Sequence, residues 1–186
     1  MEKILNVFPM LTTERLILRE ITDEDAEAIY QILSNPVVIQ YDTFKLYQNI
    51  KQAHDLIAWF QSQFQAEKAI FWGISIVGHP ELIGFCKCEI EIPKIRADLG
   101  YDLNASYWNQ GIMTETVSAV VDFAFRTLQI NRIEATASTE NPASIRVLEK
   151  LGFISEGVMR ERSFLNGRCH DMVMLAMIKR EYDSNK

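Results

Sequence analysis

The sequence of 186 residues contains no uninterrupted apolar run approaching the roughly 18 residues that a bilayer span requires. Met1 to Met10 also lacks the basic start and following apolar stretch of an export signal, so a cytoplasmic chain without a membrane partner is expected. Cysteine is scarce: three residues, an odd number, fit reduced thiols better than a disulfide framework. Cys86 and Cys88 stand two apart in a strand-like run, which puts both sulfurs on one face, Cys169 is distant, and no metal site is expected. Positive charge is short as well, with 19 Lys and Arg against 25 Asp and Glu, a formal net charge of -6. That balance argues against direct nucleic-acid binding and suits a basic acceptor better. No repeat, low-complexity tract or linker interrupts the chain. With 48% hydrophobic and 24% charged residues, it reads as one globular domain over residues 1–186.

The pattern of elements is mixed α/β. Leu11 to Glu20 reads as a strand, and Thr22-Asp23-Glu24-Asp25 as the capped start of a helix that ends near Asn35-Pro36. A second helix is expected from Gln48 to Gln65, where Ile50, Ala53, Ile57 and Phe60 repeat at three and four. Phe71 to Val77 and Leu82 to Ile92 form a hairpin about Gly78-His79-Pro80-Glu81, and Arg96 to Leu103 adds a strand. Val117, Val120, Val121, Ala124 and Leu128 mark a long helix from Gln110-Gly111 to about Gln129. Arg132 to Ser138 is a strand, and the helix opened by Asn141-Pro142 is stopped by Gly152. Glu156 to Leu165 and Arg168 to Met177 close the chain as a hairpin about Asn166-Gly167. The strand ending at Leu103 and the one starting at Arg132 are joined by a helix, so as neighbours they run parallel.

Two helix starts face the carboxyl ends of that pair, where α/β folds bind ligands. Trp108-Asn109-Gln110-Gly111-Ile112-Met113-Thr114 turns from strand to helix around a glycine. Backbone N–H groups from Gln110 through Gly111, Ile112 and Met113 to Thr114 would point at a diphosphate there. The plainer reading is a shaped turn with Thr114 as an ordinary N-cap. Asn141 is a natural N-cap for the second helix, with Pro142 at its first position and Ser144 at its third.

Tyr107-Trp108-Asn109-Gln110-Gly111-Ile112-Met113-Thr114-Glu115 resembles the acetyl-CoA diphosphate loop of GNAT acyltransferases. Asn141-Pro142-Ala143-Ser144 with Leu148-Glu149-Lys150-Leu151-Gly152-Phe153 is similar to their second cofactor motif. Thr13-Glu14-Arg15-Leu16-Ile17-Leu18-Arg19 and Glu156-Gly157-Val158-Met159-Arg160 resemble the RimJ/RimL branch, which acetylates N-termini of ribosomal proteins. The loop departs from the family pattern at Trp108 and Met113. The resemblance implies a single-domain fold: a central, mostly antiparallel sheet with one parallel, splayed strand pair, flanked by four helices. It implies acetyl-CoA as cosubstrate without a metal, and an amine acceptor, either a protein N-terminus or a small molecule such as a polyamine, amino acid or antibiotic. The oligomeric state, a homodimer among the options, is left open.

Direct transfer needs a base for the ammonium, a donor to the developing oxyanion and an acid for the departing thiolate. The resemblance points to Ser144 as the acid, with Asn141 holding the pantetheine arm. Unpaired backbone N–H groups near Tyr101 and Leu103, beside a splayed neighbour, are expected to serve the oxyanion. Where RimL-like enzymes offer a glutamate this sequence has Ser163, and strand periodicity puts Glu161 on the same face as the candidate base; Glu156 is a lesser candidate. His54, His79 and His170 fall in an early helix, a turn and the last strand beside Asp171, and none reads as the base. Cys169 and His170, one apart on a strand, point to opposite faces, which disfavours covalent catalysis. Tyr41, Phe44, Tyr47, Trp59 and Phe64 read as core rather than pocket. The competing readings are an acyl-CoA sensor without chemistry and a nucleotide-binding domain; for the latter a Gly-x-Gly-x-x-Gly turn and a Walker lysine are missing.

Overall fold

The computed structural model describes residues 7–42, 45–91, 95–165 and 167–184. The strands are β1 (Leu11–Thr12), β2 (Leu16–Glu20), β3 (Ala69–Ile76), β4 (His79–Glu91), β5 (Arg96–Leu103), β6 (Arg132–Ser138), β7 (Ile154–Leu165) and β8 (Arg168–Ile178). The helices are α1 (Ala26–Leu33), α2 (Lys51–Gln65), α3 (Ile112–Arg126), α4 (Pro142–Lys150) and the short α5 (Lys179–Ser184). The strands form one eight-stranded sheet in the order β1-β2-β3-β4-β5-β6-β8-β7. Every pairing is antiparallel except β5 with β6, in agreement with the GNAT plan read from the sequence.

Each face of the sheet has its own core. α3 turns Val117, Val120, Val121, Ala124 and Phe125 onto Trp72, Cys86, Leu99, Ile133 and Leu175. A fully buried valine or phenylalanine stabilises the fold by about 1.5–3 kcal/mol, so this stripe outweighs any helix propensity. On the opposite face Ala53, Leu56, Ile57 and Phe60 of α2 join Ile29 and Leu33 of α1 over Phe71 and Phe85. Phe60 and Phe71 stack with centroids 4.0 Å apart. Cys86 and Cys88 lie on the α3 face, and burial pushes the Cys88 thiol up to about 12.

Several boundaries differ from the sequence expectation, each for a local reason. The first strand is broken at 13–15, because Thr13 turns back onto Leu16: its Oγ accepts the Leu16 N–H at 3.0 Å and its N–H donates to the Leu16 carbonyl at 2.9 Å. In the β3–β4 hairpin Ile76 already opposes His79, so β4 starts inside the expected turn. A register shift between Ile74 and Ile76 absorbs Pro80, whose carbonyl accepts from Ser75 and Arg19 instead of continuing the ladder. β7 starts at Ile154 rather than Glu156 and pairs to Leu165, opposite Arg168. Ile92, Phe44 and Asn166, each part of an expected strand, aromatic set or turn, lie outside the described residues.

β5 and β6 pair only at their first residues: Arg96 with Arg132, Ala97 with Ile133 and Asp98 with Glu134. Above that junction β5 stays in register with β4 up to Leu103, while β6 stays in register with β8 up to Ser138. The sheet therefore opens like a V at the carboxyl ends of its parallel pair. Crossing ion pairs close its base: Arg96 reaches Glu91 at 2.7 Å and Glu134 at 2.8 Å, and Arg132 reaches Glu134 at 2.9 Å and Glu156 at 2.6 Å. Glu156, a lesser candidate base in the sequence, is thus committed to Arg132, which holds its carboxyl below the usual range.

Candidate active site

The V puts main-chain groups where a sheet would normally consume them. Asn104 N–H donates to the Ile83 carbonyl across to β4, so by the period of two the N–H groups of Leu103 and Tyr101 point the other way, into the gap. The Leu103 carbonyl accepts the indole N–H of Trp108 at 2.8 Å. Trp108, a departure from the family loop pattern, thereby ties the loop to the end of β5.

The loop then enters α3 through strained backbone. Asn109 has φ of 60° and Gly111 of 77°, left-handed values that a glycine adopts without cost. Gly111 is the N-cap and carries no side chain to cap the helix, so Thr114 is not the cap that a plainer reading allowed. The first intrahelical bond is Glu115 N–H to the Gly111 carbonyl at 3.1 Å. The N–H groups of Gly111, Ile112, Met113 and Thr114 precede that bond, and none has an acceptor among the described residues. Four converging donors at the positive end of a helix dipole suit a diphosphate.

Glu115 anchors this start from behind. Its carboxylate accepts Thr13 Oγ at 2.5 Å, Arg15 N–H at 3.0 Å and Arg15 Nε at 2.7 Å, while Arg15 also donates to the Gln110 carbonyl at 3.0 Å. Burial alone would raise the Glu115 carboxyl, but these donors outweigh it and hold the group below its ordinary value. The break in the first strand, unforeseen in the sequence, is what brings Thr13 and Arg15 to Glu115. A Cβ on Gly111 would meet the Arg15 guanidinium at 3.4 Å.

The α4 start is built differently. Asn141 Oδ1 accepts the Ser144 N–H at 3.2 Å, so this helix is capped by its own side chain. Ser144 then reaches across the V: its hydroxyl lies 2.9 Å from the Tyr101 hydroxyl, which also stands 3.2 Å from the Ser144 carbonyl. Burial raises the Tyr101 hydroxyl pKa and the Ser144 bond partly opposes it, so the phenol stays protonated at neutral pH. The sequence reading named Tyr101 only for its backbone; its phenol as partner of Ser144 was missed, although Tyr101 opposes Cys86 on the α3 face. A groove of about 960 Å³ runs beside α3 from Gly111 and Thr114 to Arg126 and Lys150. It touches the loop but not the Tyr101–Ser144 pair.

Glu161 does not join this group. β6 and β8 stand between its strand and β5, a separation of about 14 Å at roughly 4.8 Å per strand. Its φ of 52° sits in a register shift between Met159 and Ser163, so period-two logic fails here, and its N–H donates to Asp171 at 2.8 Å. His170 is buried, with Nε2 3.3 Å from the Leu165 carbonyl and Nδ1 3.6 Å from Glu140. The sequence reading also passed over Asp102. Its neighbour across the ladder is Phe85 of the α1–α2 face, so it lies behind Tyr101, where its side chain hydrogen-bonds to Asp42 after a short 3-10 turn. An acidic residue between Tyr101 and Leu103 was the available signal.

Comparison with known proteins agrees with this geometry. Residues 15–154 match the acetyltransferase (GNAT) domain family. The chain is 39% identical over 174 residues to the uncharacterized N-acetyltransferase YoaA of Bacillus subtilis (strain 168), covering 93% of this chain and 98% of that one. It is 23% identical over 166 residues to the spermidine N(1)-acetyltransferase of Escherichia coli (strain K12), covering 89% and 87% of the two chains. Its fold superposes with a TM-score of 0.85 at 25% identity on RimL, a ribosomal L7/L12 α-N-protein acetyltransferase in complex with coenzyme A, covering 93% and 99%. The V between β5 and β6, the open α3 start and these similarities together establish that the chain belongs to the GNAT family and is an acetyl-CoA-dependent N-acetyltransferase.

Proposed function

We propose that the acceptor is an unblocked protein N-terminus, of the kind RimL acetylates, and that transfer occurs by direct attack in a ternary complex in the cytoplasm. The observation that carries the mechanism is the Tyr101–Ser144 hydroxyl pair bridging the V beside the open α3 start. Gly111, Ile112, Met113 and Thr114 donate N–H groups to the diphosphate, and Arg126 and Lys150 line the groove for the nucleotide end. The N–H groups of Tyr101 and Leu103 in the gap stabilise the negative charge that develops on the thioester oxygen. Ser144 delivers a proton to the leaving sulfur, with Tyr101 holding its hydroxyl in place. Asn141 keeps Ser144 at the first turn and offers Nδ2 to the pantetheine arm. Glu161, three strands from β5, has no part in this scheme.

A polyamine is the second reading, favoured by the similarity to a spermidine acetyltransferase and by the net charge of -6. Incubation with acetyl-CoA and a panel of peptide N-termini, polyamines, amino acids and aminoglycosides, following free thiol, decides between the acceptors. Tight coenzyme A binding with no turnover across the panel supports the sensor reading instead.

A further inference from the structure

Asp102 lies on β5 between the residues whose N–H groups open into the V, with its side chain on the face opposite Ser144. A thioester held in the gap has the Tyr101–Ser144 pair on one side of the strand and Asp102 on the other. Asp102 is hydrogen-bonded to the side chain of Asp42, so two carboxyl groups stand side by side here. Nothing about packing requires this arrangement, since a carboxyl pair costs more to bury than an amide and a carboxylate. We propose that Asp102, between the two residues whose N–H groups open into the V, is the general base of the transfer, with Asp42 as the positioning residue hydrogen-bonded to it; the proposal rests on the acetyltransferase reading of the V.

The proton ledger fits the pair. The acceptor arrives as an ammonium ion and leaves as an amide, so nitrogen loses two protons. When both carboxyl groups are ionised, Asp102 takes the first: an N–H bond breaks, an O–H bond forms, and the proton is then shared with Asp42 and released to water. The freed lone pair forms the C–N bond as the C=O π electrons move onto oxygen, and collapse of that oxyanion then breaks the C–S bond. Ser144 gives its hydroxyl proton to sulfur, and the second nitrogen proton returns, through water, to the Ser144 oxygen. Burial and then the Asp42 charge raise the Asp102 carboxyl well above the ordinary aspartate value, which makes it a stronger base than a free aspartate. Other groups near it do not oppose this. Cys86 and Tyr101, behind the strand, are neutral, and Lys87, one pair further along β4, is engaged by Asp98 at 2.8 Å and Glu89 at 3.2 Å. Tyr47, also raised by burial, Asp55 and Asp42, is neutral as well.

The test follows the aspartate carboxyl carbons by ¹³C NMR against pH in the ligand-free protein, alongside transfer rates for the panel amine that is turned over. The expected result is one aspartate titrating well above the rest. Its signal disappears in Asp102→Asn and moves to lower pH in Asp42→Asn. Asp102→Asn lowers kcat by about 100-fold, and Asp42→Asn moves the acid limb of kcat/KM down by about one pH unit, with coenzyme A affinity unchanged in both. An ordinary aspartate titration throughout, or a wild-type acid limb in both variants, overturns the proposal. Loss of coenzyme A binding by the wild-type protein overturns the acetyltransferase reading instead and leaves the carboxyl pair standing.

Discussion

The starts of α3 and α4 face the same V, yet one is open and the other closed. At α4 the Asn141 side chain takes the Ser144 N–H, and Pro142 removes another donor. At α3 a glycine takes the cap position, and the donors from Gly111 to Thr114 are left for a ligand. The difference assigns the work: the open start binds by charge, and the closed start holds one hydroxyl still for chemistry. A rigid hydroxyl needs its backbone satisfied, whereas an anion site needs its backbone unsatisfied.

Closing the open start with charge has the largest expected effect. In Gly111→Asp the new residue is strained at the left-handed φ of 77°, though aspartate less than most side chains, and a carboxylate then stands among the diphosphate's donors. Like charges about 4 Å apart near a surface cost up to about 4 kcal/mol, so calorimetry should find coenzyme A binding weakened by up to about 1000-fold. Unchanged affinity would mean that the diphosphate sits elsewhere.

Removing the hydroxyl from the closed start separates chemistry from binding. Ser144→Ala should lower kcat by roughly 10- to 100-fold and leave coenzyme A affinity nearly unchanged, because the proton is delivered only as the C–S bond breaks. Tyr101→Phe should have a smaller effect of the same kind, since Tyr101 orients Ser144. Equal losses of kcat and affinity would assign Ser144 to binding instead.

How much of this was legible in the sequence follows the range of the interactions. The α4 cap, the Gly152 stop with φ of 91° and the hydrophobic stripe of α3 are set by neighbours within a turn, and the pattern of residues carries them. The parallel β5–β6 pair also followed from local logic, through the helix between the strands. The Glu115 anchor spans about 100 positions to Thr13 and Arg15, and Asp102 meets Asp42 from another element, so no spacing rule exposes either. Glu161 misled because a register shift in β7 breaks the alternation from which its face was inferred.

The anchor behind the open start gives an effect on stability with a definite pH dependence. Glu115→Gln removes charge-assisted bonds to Thr13 and to a half-exposed Arg15, and should cost about 1–2 kcal/mol at neutral pH. The wild-type carboxyl is held below its ordinary value, so its contribution is present in full above the unfolded pKa of about 4.3. It is lost as pH falls through the depressed folded value. Urea denaturation should show the two proteins converging in acid; a pH-independent gap would mean that the carboxylate charge is not what matters.

The smallest effect sharpens the comparison from the α4 side. Asn141→Ala removes the acceptor for the Ser144 N–H and should cost about 1 kcal/mol in unfolding free energy, the ordinary worth of an N-cap. Asn141→Asp keeps that acceptor, adds charge of the favoured sign at a helix start, and deletes only the Nδ2 donor. If Asn141 acts solely as a cap, the aspartate variant is as stable as the wild type and turns over at the wild-type rate. If Nδ2 also steadies the pantetheine arm, stability is kept while KM for acetyl-CoA rises by roughly fivefold, about 1 kcal/mol for one neutral hydrogen bond. Measuring both variants by denaturation and by steady-state kinetics therefore tells whether the closed start is closed to the cosubstrate as well.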